Sequence, residues 1–385
     1  MKTAALLLTV FCLLSCQGRQ AEKETDFTEV WTFEAGDSHR LIAECVDSVS
    51  YLPLRLAGDA LIRNIDKMVF KNGLMYIGDF RTRKIVACDR EGNCLFTLNR
   101  YGAGEGEYQE IKSFTVTEKY IYVLDNYRHK AYLYDAKTGQ YAGRKDLPVT
   151  AWDIGSLSAD RFLLAFVPMH RGELAQRQER HLIFVTDGDF NILQSIYPYD
   201  ETYAEPLGLT CYFTADEDYV YFTSFRFDGV TVFPKTRPED HYRIGIGFEN
   251  GLSADERSDS KKMRESRANY LSATPFFCGD FVSLDIAEGE YSFTCLYNRK
   301  DSTFYHNPSD ESMSAFNALM PPTGSHENRL ISVIPGDEAM YRDLVNAGFK
   351  KASPAIEEQI RNGDFILLLY TMRQPAAQSV PSDEP

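Results

Sequence analysis

Several things are scarce or missing in this chain, and each absence removes a class of function. Positive charge is short: 41 Lys and Arg stand against 56 Asp and Glu, for a net charge of −15. Nucleic acid is disfavoured as a partner, because its phosphates demand a basic face. The same balance argues against broad docking on anionic lipid. No apolar run approaches the roughly 20 residues that a membrane-spanning helix needs. The eight cysteines include no Cys-x-x-Cys pair, so neither a zinc ribbon nor a thioredoxin-like site is suggested. The seven histidines, His39, His129, His170, His181, His241, His306 and His326, are scattered singly. They offer no His-Glu-x-x-His or Cys/His spacing for a metal. No Gly-x-Ser-x-Gly elbow anchors a nucleophile.

Two near-motifs fail on their own chemistry. Gly102-Ala103-Gly104-Glu105-Gly106-Glu107 is glycine-rich, but two Glu side chains would repel a phosphate, and a strand follows where a helix N-terminus is required. A connection that needs backbone freedom explains it better. Asp187-Gly188-Asp189-Phe190-Asn191 starts like a calcium loop, yet Pro198 stands where a bidentate Glu is required. Asp216-Glu217-Asp218 reads as a solvated turn. No cofactor is expected; linear spacing leaves open only a pore calcium held by carboxylates from distant parts of the chain.

The start of the chain is informative. Met1-Lys2-Thr3 precedes an apolar run from Ala4 to Leu14, and Leu13-Leu14-Ser15-Cys16 follows. This is the pattern of a secretory signal, and its end resembles the bacterial lipobox, in which the cysteine is acylated and becomes the new N-terminus. Residues 1–15 are therefore expected to be a signal peptide and Cys16 the lipidation site. Residues 16–39 are expected to be a flexible tether, and the lipid a membrane anchor. Gln17 after the cysteine, by resemblance, implies the outer membrane; a cell-surface or a periplasmic orientation stays open.

Self-similarity organises the rest. Phe70-Lys71-Asn72-Gly73-Leu74-Met75-Tyr76-Ile77-Gly78-Asp79 slides onto Val116 to Asp125, so that Tyr76 meets Tyr122 and Asp79 meets Asp125. Lys84 to Asp89 likewise meets Lys130 to Asp135. Each unit alternates strand and turn, and such a period with several strands per unit means propeller blades. A third unit runs through Phe162, His181 and Ile192, and a fourth through Tyr219, Val230 and Tyr242. A fifth runs through Phe276, Tyr291 and Ser302. A sixth needs Arg329 to Ile334 and Phe365 to Met372, completed by Ser48 to Leu54 from the beginning of the body. The chain holds 23 Tyr and 25 Phe, a load suited to packing sheets face to face. The expectation is an all-β, six-bladed β-propeller over residues 40–373 with short helical inserts, its ring closed by an N-terminal strand. A disordered tail is expected at 374–385.

Tyr51-Leu52-Pro53-Leu54, Ile65-Asp66-Lys67, Phe70 to Gly73, Tyr76-Ile77-x-Asp79 and Gly102 to Tyr108 together resemble the NHL-repeat-like, six-bladed β-propeller lipoproteins of Bacteroidetes. The likeness is sharpest from about residue 48 to 140, and it implies fold and location more than activity. Glu105 stands where that family usually has proline. Three helices are expected. A capping box at Ser253-Ala254-Asp255-Glu256 should open one that runs to about Tyr270. Ser309 precedes a stripe of Met313, Phe316 and Met320. Ser353-Pro354 should start a third, ended by Gly363. Cys88 and Cys94 flank a turn and would face each other as a disulfide or as two reduced thiols.

The leading functional expectation is an outer-membrane, non-catalytic binding or scaffolding propeller for a glycan, a peptide or a partner membrane protein such as a transporter. The rival is a propeller hydrolase or lyase with a metal in the pore. Carboxylates and His converging at the narrow end of the pore would favour the rival; hydroxyls and apolar groups would favour the leader. The expected ligand-binding face comprises Arg81, Arg83, Tyr127, Arg128, His129, Trp152, His170, Arg171, Phe225 and Arg226. These sit in hairpins and blade connections that emerge on one face, where Arg could pair with carboxylate or phosphate groups and aromatics could stack. Alternatively the arginines hold the hairpins and blades together.

Overall fold

The structure, a computed structural model, describes residues 27–33, 41–175, 180–253, 255–289, 291–306, 319–346 and 348–373. The signal peptide, Cys16, the stripe residues Met313 and Phe316 and the tail 374–385 lie outside the described residues.

Six sheets stand around a central axis, antiparallel throughout except for one added strand in the fourth. The first holds Lys67–Lys71, Leu74–Asp79, Lys84–Cys88 and Cys94–Leu98, in order from the axis outward. The second holds Ser113–Val116, Tyr120–Asp125, Lys130–Asp135 and Tyr141–Asp146. The third is built from Asp153–Ser156, Arg161–Ala165, His181–Asp187 and Ile192–Pro198, and the fourth from Phe213–Ala215, Tyr219–Phe222, Gly229–Pro234 and Tyr242–Phe248. In the fifth the innermost strand is broken into Asn269–Leu271 and Phe276–Cys278, followed by Phe281–Glu288, Tyr291–Asn298 and Thr303–His306. The sixth runs Gly324–His326, Arg329–Ile334, Ile366–Met372 and then Val46–Pro53. The expected fold is the observed one.

Burial follows from this stacking. A middle strand of a blade is covered on both faces by neighbouring blades, so it reads as a continuous apolar run rather than an alternation. Ile121 to Asp125 is buried throughout, whereas the outermost strand Tyr141–Asp146 alternates half-buried and exposed. The aromatic load fills the spaces between blades: Tyr122 and Phe162 meet at 4.7 Å between the second and third, and Tyr221 stacks on Phe277 at 3.7 Å between the fourth and fifth.

Val46–Pro53 pairs antiparallel with Ile366–Met372 and so supplies the last strand of the sixth blade. The chain then docks on the first blade, where the Arg55 N–H donates to the Gly92 carbonyl at 2.8 Å. Gly92 has a φ of +81°, and a Cβ there would stand 2.2 Å from the Pro53 carbonyl oxygen. Only glycine fits that junction.

Two expectations need correction. The tether was expected to reach residue 39, but Glu29–Phe33 is a strand that pairs in parallel with Tyr242–Phe248, giving the fourth blade a fifth strand. The reason is apolar: Trp31 and Phe33 are each only 2 % exposed, and Trp31 stacks on Tyr297 of the fifth blade at 4.3 Å. The capping box at Ser253 does form, with the Ser253 N–H donating to Glu256 Oε2 at 2.8 Å. It opens only a short 3-10 turn, Glu256–Ser258. A separate helix α1, Ser260–Glu265, starts on Asp259, and the expected helical end is instead the strand Asn269–Leu271. The sixth blade inserts α2, Glu338–Asn346, which the sequence reading lacked, and α3, Pro354–Arg361, capped by Ser353 as expected.

Candidate functional site

A propeller turns the free edge of each innermost strand toward the axis, so unpaired backbone N–H and C=O groups face the channel. Around that axis lies a cavity of about 1390 Å³, lined from all six blades. One end, here called lower, is formed by the turns between first and second strands, among them Asn72-Gly73, Glu118, Asp216 to Asp218 and Glu327-Asn328. The opposite, upper end is formed by residues that precede the innermost strands, including Asn64, Asp66, Leu207 to Cys211 and Ser272 to Thr274.

A buried ion pair narrows the upper end. Lys67, Ser113 and Asp153 each begin the innermost strand of their blade. Lys67 Nζ donates to Asp153 Oδ1 at 2.6 Å and to the Ile154 carbonyl at 3.2 Å, and the Ser113 hydroxyl also donates to Asp153 Oδ1. Asp153 Oδ2 accepts the backbone N–H groups of Tyr212 and Phe213, at 2.7 and 2.8 Å. One carboxylate thereby joins four blades. The Cys211 thiol donates to the Asp66 carbonyl at 3.4 Å, and the Thr274 hydroxyl donates to the Cys211 carbonyl at 2.8 Å. Burial pushes the Cys211 thiol up to about 12, far from the range of a reactive thiolate.

At the lower mouth stand two ion pairs, Lys71 with Glu118 at 2.6 Å and Arg90 with Glu327 at 3.1 Å. Phe70 and His326 stack there at 4.3 Å, nearly parallel. Hydroxyl groups of Thr115, Ser156, Thr214 and Ser325 complete the wall. Among the described residues no three His, Cys, Asp or Glu side chains are grouped to hold a metal.

Of the ten residues expected to form a ligand-binding face, only Phe225 reaches this cavity. Phe225 is packed against Met263 and Tyr270. Arg81, Tyr127, His129, His170 and Arg171 are exposed, with Tyr127 at 77 %. The rest are partly buried. The Arg83 guanidinium lies over Tyr101 at 4.3 Å, and Lys112 lies over Trp152 at 3.6 Å. Arg226 lies over Tyr203 and donates to the Pro198 carbonyl at 2.9 Å. The Arg128 N–H donates to Asp125, and its Nε is buried without a partner. These contacts are local braces, and the ten residues share no common pocket. Cys88 and Cys94 are partners across the hairpin, as expected, and both are free thiols.

The repeated aspartates also brace the fold. Asp79 accepts the N–H groups of Arg63 and Thr82, and Asp125 those of Gln109 and Arg128, so each ties its hairpin to the incoming connection. Glu107 closes the glycine-rich loop on itself by accepting the Gly104 N–H at 2.7 Å. Asp187 accepts the N–H groups of Asp189 and Asn191, which organises its turn without a cation. The cavity residues Asp66, Lys67 and Asp285, and Asp153 buried behind the wall, escaped the sequence reading of the site. Their one signal was Asp66-Lys67 directly before an apolar strand, a place where the other units carry a neutral or a single charged residue.

The family model described as "Domain of unknown function (DUF4934)" matches residues 34–361. The chain belongs to the DUF4934 family. Its fold is similar to that of a "Putative exported protein" from Bacteroides fragilis NCTC 9343, with a TM-score of 0.72 at 15 % identity, covering 90 % of this chain and all of that one. A member of the DUF4221 family from Bacteroides vulgatus matches with a TM-score of 0.49 at 9 % identity, covering 86 % of this chain and 98 % of that one. No curated protein matches the sequence significantly. At such identities the likeness is one of fold. No helix among the described residues is long and apolar enough to cross a membrane.

Proposed function

We propose that this DUF4934 propeller is a non-catalytic binding protein of the cell envelope, anchored through Cys16 to the outer membrane, and that its ligand occupies the axial cavity. The observation that carries the reading is the composition of the cavity wall. Hydroxyls, strand-edge backbone groups, carboxylates and the Phe70–His326 stack line it, while the buried ion pair at its narrow end, Lys67 with Asp153, is already satisfied. Polar groups that fix orientation beside aromatic surface are the usual make-up of a ligand site. A cavity of about 1390 Å³ exceeds the roughly 300–1,000 Å³ of small-molecule pockets, so an oligosaccharide or short peptide suits it better than a single metabolite. The lipobox at Cys16 and the likeness to the Bacteroides fragilis protein support an envelope location.

Two measurements test this. Calorimetric titration of the full chain with oligosaccharides and short peptides should find a saturable ligand that is recovered unchanged. Crowding the upper end of the cavity by Ala273→Trp should weaken that binding, since Ala273 lines the wall and its side chain has nothing polar to lose. Turnover of the bound molecule would refute the non-catalytic reading. Changing Cys16→Ala should release the protein from the membrane fraction, and a variant that stays bound and still labels with palmitate would refute the anchor.

A further inference from the structure

Resting on that binding reading, we infer that the cavity ligand carries a cationic group, an amine or a guanidinium, and that Asp285 receives it. Asp285 belongs to the second strand of the fifth blade, which an intact innermost strand would screen from the axis. The innermost strand of this blade is broken between Leu271 and Phe276, however, and Asp285 lies opposite the break, with its carbonyl held by the Ser272 N–H at 2.9 Å. Its side chain therefore lines the cavity.

The decisive feature is the distribution of partners. Every cation in the wall is engaged. Lys67 pairs with Asp153, Lys71 with Glu118 and Arg90 with Glu327. Lys235 donates to the Asp216 carbonyl, and Arg299 lies over Phe277. The carboxylates of Asp285 and Asp66 have no cationic partner among the described residues. Asp285 Oδ1 accepts one neutral hydrogen bond, from Thr294 Oγ1 at 3.0 Å; Asp66 accepts two, from Asn64 Nδ2 and the Phe80 N–H, each at 2.7 Å. Carboxylates in the wall also outnumber its Lys and Arg. A largely buried carboxylate without a counter-charge is costly, and burial accordingly pushes Asp285 up to about 6. A ligand cation supplies the missing partner, and a charge-assisted hydrogen bond in a desolvated site is among the stronger ones. An anionic ligand would find three of the five wall cations, Lys67, Lys71 and Arg90, already held by carboxylates.

Matched probes that differ in charge alone test the inference on the full chain at pH 7.5 and moderate salt. Tetralysine is compared with its Nε-acetylated form, and triarginine with tricitrulline. The cationic member of at least one pair should bind about tenfold or more tightly, the usual worth of a hydrogen bond to a charged group. Asp285→Asn should erase that difference. The substitution keeps the shape and removes a buried charge, so the variant should melt no earlier than the parent, and circular dichroism verifies its fold. Equal affinity within both pairs, or a preference that survives Asp285→Asn, overturns the inference. If neutral oligosaccharides bind all the same, the cavity reading stands without it; if no probe and no oligosaccharide binds at about 10 mM, both fall.

Discussion

The first two blades and the last three are held together by different means. Blades one and two are continuous in sequence, with short turns and the same aspartate at the end of the second strand, Asp79 or Asp125, bracing both the hairpin and the incoming connection. Their cohesion is local. Blades four to six draw on distant chain. Glu29–Phe33 lies along the outside of the fourth blade, with Trp31 and Phe33 wedged against Tyr297, Phe293 and Phe304 of the fifth. Ile42 packs with Leu296 and Leu330 between the fifth and sixth, and Val46–Pro53 completes the sixth. The N-terminal segment thus staples the half of the ring whose own strands are broken or interrupted by helices. A regular repeat closes on its neighbours unaided; an irregular one needs a strap, and the same irregularity opens a carboxylate to the axis.

That contrast predicts unequal damage. Deleting residues 46–53 should have the largest effect, because the third strand of the sixth blade would become an exposed apolar edge. We expect aggregation or loss of a cooperative melt; a variant that melts like the parent would break the idea of closure by this strand. Trp31→Ala should cost about 3–5 kcal/mol, as for other large buried aromatics, measured by urea denaturation. Tyr76→Phe in the first blade loses a single hydrogen bond, from its hydroxyl to the Ala136 carbonyl, and should cost about 1 kcal/mol. A Trp31→Ala variant no weaker than Tyr76→Phe would deny the strap its role.

A third, smaller effect concerns pH. Glu205, in the connection between the third and fourth blades, accepts the Phe225 N–H at 2.7 Å and the Tyr203 hydroxyl, and burial pushes it up from 4.5 to about 7. Asp285 is raised from 3.8 to about 6. Both acids bind protons more tightly in the folded state, so their stabilising effect is complete below the unfolded values, near pH 4. It is lost as pH rises through about 6 to 7. Glu205→Gln should therefore gain on the parent by a few kcal/mol at most between pH 5 and 8, read from urea midpoints. A parent and variant with parallel pH profiles would contradict the assignment.

How much of this was legible in the sequence follows the same division. The 46-residue register between Tyr76 and Tyr122 reveals the regular blades directly, because identical local contacts select similar residues. Trp31 looked like part of a polar tether, since a lone strand of five residues shows its periodicity only against Tyr242–Phe248, more than 200 positions away. The capping box at Ser253 was real, yet Asp259 supplied a second start and Asn269–Leu271 was captured by a sheet. The arginines do emerge on one side, but Arg83 and Arg226 are spent on Tyr101 and Tyr203. The cavity was invisible because Lys67, Ser113 and Asp153 meet only once the ring has closed.

Ligand binding in the axial cavity, as proposed, and binding on the arginine-bearing upper face make opposite predictions. The most direct measurement is calorimetric, with the tightest-binding probe titrated into two variants in parallel. One is Ala273→Trp, which crowds the upper end of the cavity. The other combines Arg81→Gln, Tyr127→Ala and Arg171→Gln, exposed positions whose loss should alter stability by no more than about 0.5 kcal/mol each. Binding should weaken in the first and stay unchanged in the second; binding unchanged with the crowded cavity and lost with the altered face would place the site on that face.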